Sequence, residues 1–345
     1  MAMNEVNYQE TFVNESSAEP AESPLLQLRE VRKYFPKGGL TIGKKQCVKA
    51  VDGVSLDIYQ GQNVGLVGES GCGKSTLGRT ILNLYPITSG TIIYKGEQIE
   101  TLSFKKMRPY RKEMQMIFQD PYASLNPRRT IMQSMEEPLE LFKLGTKAER
   151  KEKVLELLDK VGIGKEHLDK FPHEMSGGQR QRIAIARSII LNPNFIVADE
   201  PVSALDVSVR SQVLNLMKTL QEEYHLSYMF ISHDLSVVRY LCDRVVVMYL
   251  GKVMECADTK ELFDHPTHPY SQALISAIPI PDVHKKTQRI VLKGDLPSPA
   301  NPPSGCVFHT RCRYAKEDCK NVCPTLKSIN EGHQVACHYA EKLYT

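Results

Sequence analysis

The fold is decided by residues 68–75, which read GESGCGKS. This stretch fits the pattern G-x-x-x-x-G-K-[ST], in which the glycines let the backbone curl so that its N–H groups point inward at phosphate oxygens. A short buried strand is predicted before it, at residues 63–67, and an apolar-periodic helix after it, at residues 74–84. The helix would aim the positive end of its dipole at the same phosphates. This context disfavours the alternative of a merely flexible glycine loop.

The polar groups of this loop have separate expected tasks. Lys74 should reach the β- and γ-phosphates of a nucleotide, and the Ser75 hydroxyl should ligate Mg²⁺. We interpret Cys72 as a tolerated small residue rather than as a redox switch. The residues expected to contact the nucleotide are Gly68, Ser70, Gly71, Cys72, Gly73, Lys74, Ser75 and Thr76.

A second candidate lies at residues 195–200, FIVADE, an apolar strand that ends in two carboxylates. Ligands of open α/β sheets sit at the carboxyl ends of strands. Asp199 is therefore placed to hold Mg²⁺ through water, and Glu200 to orient and deprotonate an attacking water. An acidic turn after a strand is common, and only the phosphate-binding loop favours the catalytic interpretation over a solvated turn.

A second helix start with anion-binding character lies at residues 175–179, MSGGQ. Its backbone donors and its serine hydroxyl would stand at a helix N-terminus, which is a ready anion site. Read alone, the motif is more typical of an ordinary N-cap followed by flexible glycines. Two separate phosphate-binding helix ends in one chain suggest, however, that each end serves a different nucleotide. The residues concerned are Ser176, Gly177, Gly178 and Gln179.

MSGGQ resembles the signature LSGGQ of the ABC ATPase family, with Met175 in place of Leu, a volume-conserving apolar exchange. The resemblance implies that two subunits pair head to tail, so that the signature of one closes over the ATP held by the other. It also assigns further motifs that occur in family order. These are Gln119 of the Q-loop, which would serve Mg²⁺ and catalysis, Asp206 of the D-loop, the switch histidine His233, and the adenine-stacking Tyr34, for which the adjacent Phe35 is a rival.

The order of predicted elements indicates the fold class. Strands that alternate with helices predict a mostly parallel α/β sheet. The resemblance implies a P-loop NTPase fold: a RecA-like core, an antiparallel β subdomain, and a helical subdomain at about residues 120–187 that carries the signature. Residues 1–24 are predicted to be a disordered leader. We expect the ATPase domain over residues 25–282 and a small Cys-rich C-terminal domain over residues 283–345.

Composition excludes several classes of function. A net charge of +4 over 345 residues gives no support to nucleic-acid binding, which expects clustered, strong basicity. No stretch approaches the roughly 18–20 uncharged apolar residues that would span a bilayer. The leader has no apolar core of signal-peptide type. We therefore expect the chain to stay in the cytosol and to reach a membrane only through partner subunits.

The C-terminal region is rich in cysteine, with five of the nine cysteines in the last 40 residues. In a reducing cytosol such a cluster favours a metal site over disulfides. Four thiolates suit zinc or a [4Fe–4S] cluster, although the tight C-x2–4-C pairs usual for zinc are absent. A site without metal also stays open.

Residues 265–279 and 294–306 resemble the C-terminal extension of the ATPases of dipeptide and oligopeptide importers. This resemblance implies an iron–sulfur cluster and leaves Cys323 as an extra cysteine. The implied ligands are Cys306, Cys312, Cys319 and Cys337.

The expected function is ATP binding and hydrolysis that energise the import of dipeptides or oligopeptides at the cytoplasmic face of a bacterial inner membrane. The implied partners are a second homologous ATPase subunit in a heterodimer, two transmembrane permeases and an extracytoplasmic peptide-binding protein. A nickel or other small-solute importer is the alternative. A soluble ABC ATPase of DNA repair or translation is disfavoured because the chain holds a single cassette without a coiled-coil insertion. A non-hydrolysing regulatory subunit is disfavoured because Glu200 and His233 are both present.

Overall fold

The computed structural model describes residues 23–36, 47–279 and 289–344. Nearly all of the predicted leader and the predicted domain boundary at residues 282 and 283 lie outside the described residues. The strands are β1 (Leu26–Pro36), β2 (Cys47–Ile58), β3 (Asn63–Val67), β4 (Ser89–Tyr94), β5 (Glu97–Gln98), β6 (Met114–Ile117), β7 (Phe195–Asp199), β8 (Ser227–Ser232), β9 (Arg244–Tyr249), β10 (Lys252–Asp258), β11 (Lys327–Asn330) and β12 (His333–Val335). The helices are α1 (Lys74–Ile81), α2 (Arg108–Glu113), α3 (Pro121–Ser124), α4 (Ile131–Leu141), α5 (Lys147–Lys160), α6 (Gly177–Ile189), α7 (Val207–Tyr224), α8 (Leu235–Leu241), α9 (Thr259–Asp264), α10 (Pro269–Ser276), α11 (Glu317–Asn321) and α12 (Ala340–Leu343).

The main sheet has the strand order β11-β12-β10-β9-β3-β8-β7-β6. Its central strands, from β9 to β6, run parallel, which confirms the predicted parallel α/β sheet. Strand β10 folds back antiparallel on β9 through a turn at Gly251. The carboxyl ends of β3, β7 and β8 therefore meet at one edge, where a ligand is expected to bind.

Alternate residues of the parallel strands face two hydrophobic cores. In β8, Met229 and Ile231 pack into the core that also holds α1 and the second sheet. Tyr228 and Phe230 pack into the core on the opposite face, among residues of α6 and α7. Burial on both faces explains why these strands read as unbroken apolar runs rather than as alternating patterns.

The second sheet is antiparallel and has the order β2-β1-β4-β5. Strand β1 pairs with β2 so that Tyr34 lies opposite Lys49 and Phe35 opposite Val48. The register shifts between Lys33 and Tyr34. This sheet brings the end of β1 and the start of β2 close to the phosphate-binding loop.

The helices around the signature begin where the sequence supplies capping residues. Thr130, Thr146 and Ser176 are the N-caps of α4, α5 and α6, and each forms a capping box with the residue three positions later. The helix predicted over residues 74–84 is shorter than expected. It ends at Ile81 because Asn83 takes a left-handed conformation, with φ 51°.

The C-terminal region joins the main sheet rather than standing apart from it. Strand β12 pairs antiparallel with β10, with Glu255 opposite Val335. Beside this pairing, the fully buried His333 contacts Glu255 of β10. Among the described residues, no helix combines the length and apolar character needed to cross a bilayer.

Candidate active site

The loop between β3 and α1 approaches the backbone of neighbouring strands so closely that two of its positions require glycine. Gly73 has φ +106°, and a Cβ there would lie 1.9 Å from the Ala50 carbonyl oxygen. Gly68 has φ +150°, and its Cβ would lie 2.2 Å from the Met248 carbonyl oxygen. Any side chain would therefore push the loop off the sheet. The glycines fix the curl that turns backbone N–H groups toward a common centre.

Lys74 lies inside this curl and is only 5% exposed. Its Nζ donates to the carbonyl oxygens of Gly68 at 2.7 Å and Glu69 at 3.0 Å. These carbonyls carry no formal charge, whereas a phosphate would form charge-assisted hydrogen bonds with the same ammonium group. Lys74 is thus placed to give up its hydrogen bonds to the loop carbonyls and to bind an anionic ligand instead.

Ser75 and Asp199 meet at the edge of the sheet. The Ser75 hydroxyl donates to Asp199 Oδ1 at 2.7 Å, and Arg79 Nη2 lies 3.7 Å from Asp199 Oδ2. Burial raises the pKa of Asp199, although the hydrogen bond from Ser75 and the charge of Arg79 oppose that rise. A hydroxyl and a carboxylate side by side are the oxygen donors that Mg²⁺ prefers. The residues present therefore fit a magnesium ion.

Glu200 follows β7 in a left-handed backbone conformation, with φ 47°. Its N–H donates to the carbonyl of Ile231 at 3.0 Å, which ties the strained residue to β8. Gln119 Nε2 donates to one carboxylate oxygen at 3.0 Å, and His233 Nδ1 lies 3.3 Å from the other. Strained residues persist where the surrounding structure holds them, and they are frequent at functional sites.

These groups surround one open cavity of about 710 Å³, a size typical of ligand-binding clefts. The cavity thus joins most of the predicted loop residues to Gln119, Glu200 and His233. Gly68 and the buried Cys72 do not line it. Its lining residues are Phe35, Val48, Ala50, Ser70, Gly71, Gly73, Lys74, Ser75, Thr76, Gln119, Glu200, His233 and Pro299.

The signature residues and Asp206 do not line this cavity. The exposed Ser176 caps α6, and its hydroxyl accepts from the Gln179 N–H at 3.3 Å, while Gln179 Oε1 accepts from the Ser176 N–H at 3.0 Å. A Cβ at Gly178 would lie 2.6 Å from Val209 Cγ1, so glycine lets α6 pack against α7. Gly177 has open space beside it, and Asp206 is exposed at the start of α7. This helix start is therefore exposed and lies outside the cavity lined by the chain's own loop.

Comparison with known proteins identifies the chain's relatives. A family model described as ABC transporter matches residues 51–203. The oligopeptide transport ATP-binding protein AppF of Bacillus subtilis is 56% identical over 92% of this chain and 98% of its own length. The dipeptide transport ATP-binding protein DppF of Haemophilus influenzae is 50% identical over 92% of this chain and 98% of its own length. The chain belongs to the ABC transporter ATPases. It hydrolyses ATP to drive transport.

Solved ABC cassettes share the fold of this ABC ATPase. One is MJ0796, whose dimeric post-hydrolysis state bound to ADP and Pi gives a TM-score of 0.61 at 30% identity, covering 68% of this chain and 98% of that one. Another is cbiO1 of Clostridium perfringens, with a TM-score of 0.61 at 27% identity over 70% of this chain and 92% of that one. A second family model, for the oligopeptide/dipeptide transporter C-terminal region, matches residues 254–319 of the ABC ATPase.

The aromatic residues at the end of β1 are divided between two environments. Phe35 lines the ATPase cavity. Tyr34 instead directs its hydroxyl to Asp52, and burial together with this hydrogen bond raises the pKa of Tyr34 to about 12. The geometry therefore favours Phe35, the rival candidate, over Tyr34 for contact with an adenine base.

The four tail cysteines implied as metal ligands line one small cavity of about 20 Å³ beside Phe308, whereas the exposed Cys323 does not line it. Burial, reinforced by neighbouring thiols, raises the pKa of Cys306 to about 12 and that of Cys337 to about 11. Within the described part of the chain, however, no group of three or more His, Cys, Asp or Glu is arranged to hold a metal. The structure thus gathers the cysteines without giving a metal site.

Three contacts to the site were not predicted from the sequence. Pro299 of the proline-rich connector lines the cavity, and its carbonyl accepts from the Lys49 N–H at 3.1 Å. Tyr270 and Arg311 both bind Glu69 of the phosphate-binding loop. Four prolines between residues 297 and 303 indicate a stiff connector at Pro299, but no local pattern marks Arg311.

Proposed function

We propose that this ABC ATPase energises the import of dipeptides or oligopeptides across a bacterial cytoplasmic membrane. The observation that carries the ATPase part is the cavity that joins Lys74, Gln119, Glu200 and His233. The peptide cargo is supported by the oligopeptide/dipeptide C-terminal region at residues 254–319 and by the relatives' names.

In the proposed reaction, the loop N–H groups and Lys74 bind the phosphates of ATP. Mg²⁺ bound by Ser75, Asp199 and Gln119 would neutralise developing negative charge on the phosphates. Glu200 orients the attacking water and accepts its proton. His233 contacts the γ-phosphate and, through its 3.3 Å approach to Glu200, keeps that carboxylate in place.

The test of this assignment is Glu200→Gln, which keeps the hydrogen-bonding shape but removes the base. We expect ATP binding within about twofold of the parent protein and a turnover lowered by at least about a hundredfold, the usual share of a general base. Glu222→Gln, an exposed change on α7, is the matched control. Hydrolysis by Glu200→Gln within about threefold of the parent would refute the role of Glu200.

We further propose that the chain works at the cytoplasmic face of the membrane in a complex with two permeases, a second homologous ATPase subunit and an extracytoplasmic peptide-binding protein. The exposed signature of α6, which does not line the chain's own cavity, supports the need for a second cassette. Purification of the complex from native membranes, followed by mass spectrometry of the ligand in its binding protein, tests the cargo. Nickel instead of peptide in that ligand site would favour the alternative importer.

We also propose a [4Fe–4S] cluster held by Cys306, Cys312, Cys319 and Cys337. The donor set supports it, since the four cysteines line one cavity and thiolates bind iron–sulfur clusters. When bound, the cluster would supply a structural crosslink for the tail. Protein purified without oxygen should contain about four irons and about four sulfides per chain. Cys312→Ser should lose them and the exposed Cys323→Ser should not; one zinc without iron would contradict the cluster.

A further inference from the structure

The second residue of the phosphate-binding loop, Glu69, is held by side chains far away in the sequence. Its backbone N–H donates to the Tyr270 Oη at 2.7 Å, across 201 positions. Its carboxylate accepts from Arg311 Nη1 at 2.7 Å, across 242 positions. Its carbonyl accepts from Lys74 Nζ at 3.0 Å. One residue thus links the phosphate-binding lysine to the C-terminal region.

The two distant partners are themselves firmly placed. The Arg311 side chain is 9% exposed, and Tyr270 is fully buried. Tyr270 packs against Tyr249 and Phe308, with ring centroids 4.9 Å and 5.3 Å away. The Glu69 side chain is 27% exposed, so solvent screens this pair in part, but less than it screens a fully exposed pair. The contact therefore joins a firmly placed side chain of the C-terminal region to the phosphate-binding loop.

We propose that Arg311 is a positioning residue for ATP. Its guanidinium neutralises the Glu69 carboxylate and, together with Tyr270, keeps the loop in its phosphate-binding curl. Without Arg311, a negative charge would remain in the loop that must accept a polyanion. The C-terminal region thereby sets the affinity of the nucleotide site. This inference depends on the proposal that the loop binds ATP.

Charge neutralisation and simple structural support make different predictions for a pair of substitutions. Arg311→Gln leaves the Glu69 carboxylate uncompensated, so ATP should bind about tenfold more weakly. Glu69→Gln removes the carboxylate itself, so the loss should be at most about threefold. The double variant should resemble Glu69→Gln, because removal of the carboxylate cancels the harm done by Arg311→Gln. A purely structural contact would instead make the double variant at least as weak as Arg311→Gln.

The experiment measures ATP binding to the full-length chain by calorimetry, and KM and kcat for ATP in the reconstituted transporter. We expect Arg311→Gln to raise KM about tenfold with kcat changed less than about twofold. Arg311→Lys should restore most of the affinity because it keeps the charge. The difference between Arg311→Gln and Glu69→Gln should shrink as salt rises. Arg313→Gln is the matched control, since the exposed Arg313 donates to Gln272 and lies over the Tyr314 ring, and neither residue belongs to the phosphate-binding loop.

A second variant keeps the inference testable if Arg311→Gln unfolds the tail. Tyr270→Phe keeps the buried ring and removes only the hydroxyl that binds the Glu69 N–H, so it should also raise KM. Parent-like KM values for both Arg311→Gln and Tyr270→Phe would overturn the inference, and so would a double variant as weak as Arg311→Gln. Failure of the parent chain to bind ATP would refute the proposed function instead.

Discussion

At the scale of single residues, the adjacent Tyr34 and Phe35 of β1 lie in two different environments. Successive side chains of a strand point to opposite faces. Phe35 lines the nucleotide cavity, while the Tyr34 hydroxyl binds Asp52. The sequence alone could not choose between them, because the register shift between Lys33 and Tyr34 depends on pairing with β2.

Phe35→Leu is expected to weaken ATP binding at least about fivefold, because stacking of a base on an aromatic ring contributes about 1–3 kcal/mol. Binding of inorganic tripolyphosphate should be unchanged, since it uses only the phosphate-binding loop. Tyr34→Leu is the matched control and should bind both ligands as the parent does. Calorimetry with the two ligands separates the contribution of the base from that of the phosphates. A larger loss of ATP affinity in Tyr34→Leu would reverse the assignment.

At the scale of elements, strand β12 contacts the rest of the protein through His333, a fully buried residue that lies between two carboxylates. His333 Nε2 lies 2.7 Å from Glu255 Oε1, and His333 Nδ1 lies 3.2 Å from Glu261 Oε1. Both ring nitrogens can donate only when the imidazole is protonated. Burial alone would lower the pKa of His333, but the hydrogen bonds and charges of the two carboxylates outweigh it and raise the pKa.

The raised pKa makes the docking of β12 depend on pH. The contribution of His333 to the free energy of unfolding should be complete below its unfolded pKa of about 6.5. That contribution should be lost as the pH rises through the higher folded pKa. The free energy of unfolding should therefore fall above about pH 6.5, by up to about 1.4 kcal/mol per pH unit. Burial lowers the pKa of His268 to about 4, so its own effect on stability has the opposite sign and lies mainly between about pH 4 and 6.5.

The measurement is denaturant unfolding of the parent, of His333→Gln and of His225→Asn at several pH values above 6. His333→Gln should lose the pH-dependent slope. The exposed His225, which has a left-handed backbone that asparagine accepts, is the control and should keep it. Glu261→Gln should reduce the slope without removing it. Equal slopes in the parent and His333→Gln would contradict the proposed coupling.

At the scale of the whole molecule, the sequence predicted what is encoded locally and missed what depends on distant pairing. The phosphate-binding loop was predicted from a short pattern, the acidic end of β7 only because that loop stood beside it, and the parallel sheet from the alternation of strands and helices. The joining of β12 to β10 was not predicted, since no local pattern selects the partner of a short strand. Arg311 and Glu69 are 242 positions apart, and no periodic pattern in the sequence indicates that they are in contact.

The signature at the start of α6 is exposed and does not line the chain's own cavity. In the proposed head-to-tail pair, Ser176 serves the nucleotide held by the partner subunit, and not the one held by Lys74 of the same chain. Ser176→Arg would block that contact. It would also remove an N-cap, which costs a helix about 1 kcal/mol. Thr146→Arg provides the matched control, because Thr146 is an exposed N-cap with the same capping box at the start of α5.

Labelling of the two ATPase subunits distinguishes action of Ser176 on the partner's nucleotide from action on the nucleotide of its own chain. The assembled transporter is trapped with vanadate and a photoreactive ATP analogue, and the label on each ATPase subunit is measured. Ser176→Arg should reduce the label on the partner subunit at least about tenfold and leave the label on its own chain largely intact. Lys74→Ala should do the reverse, because it removes the lysine that binds the phosphates. Thr146→Arg should change neither. Loss of label from the chain that carries Ser176→Arg, with the partner still labelled, would refute the head-to-tail arrangement, because the signature would then complete the site of its own loop.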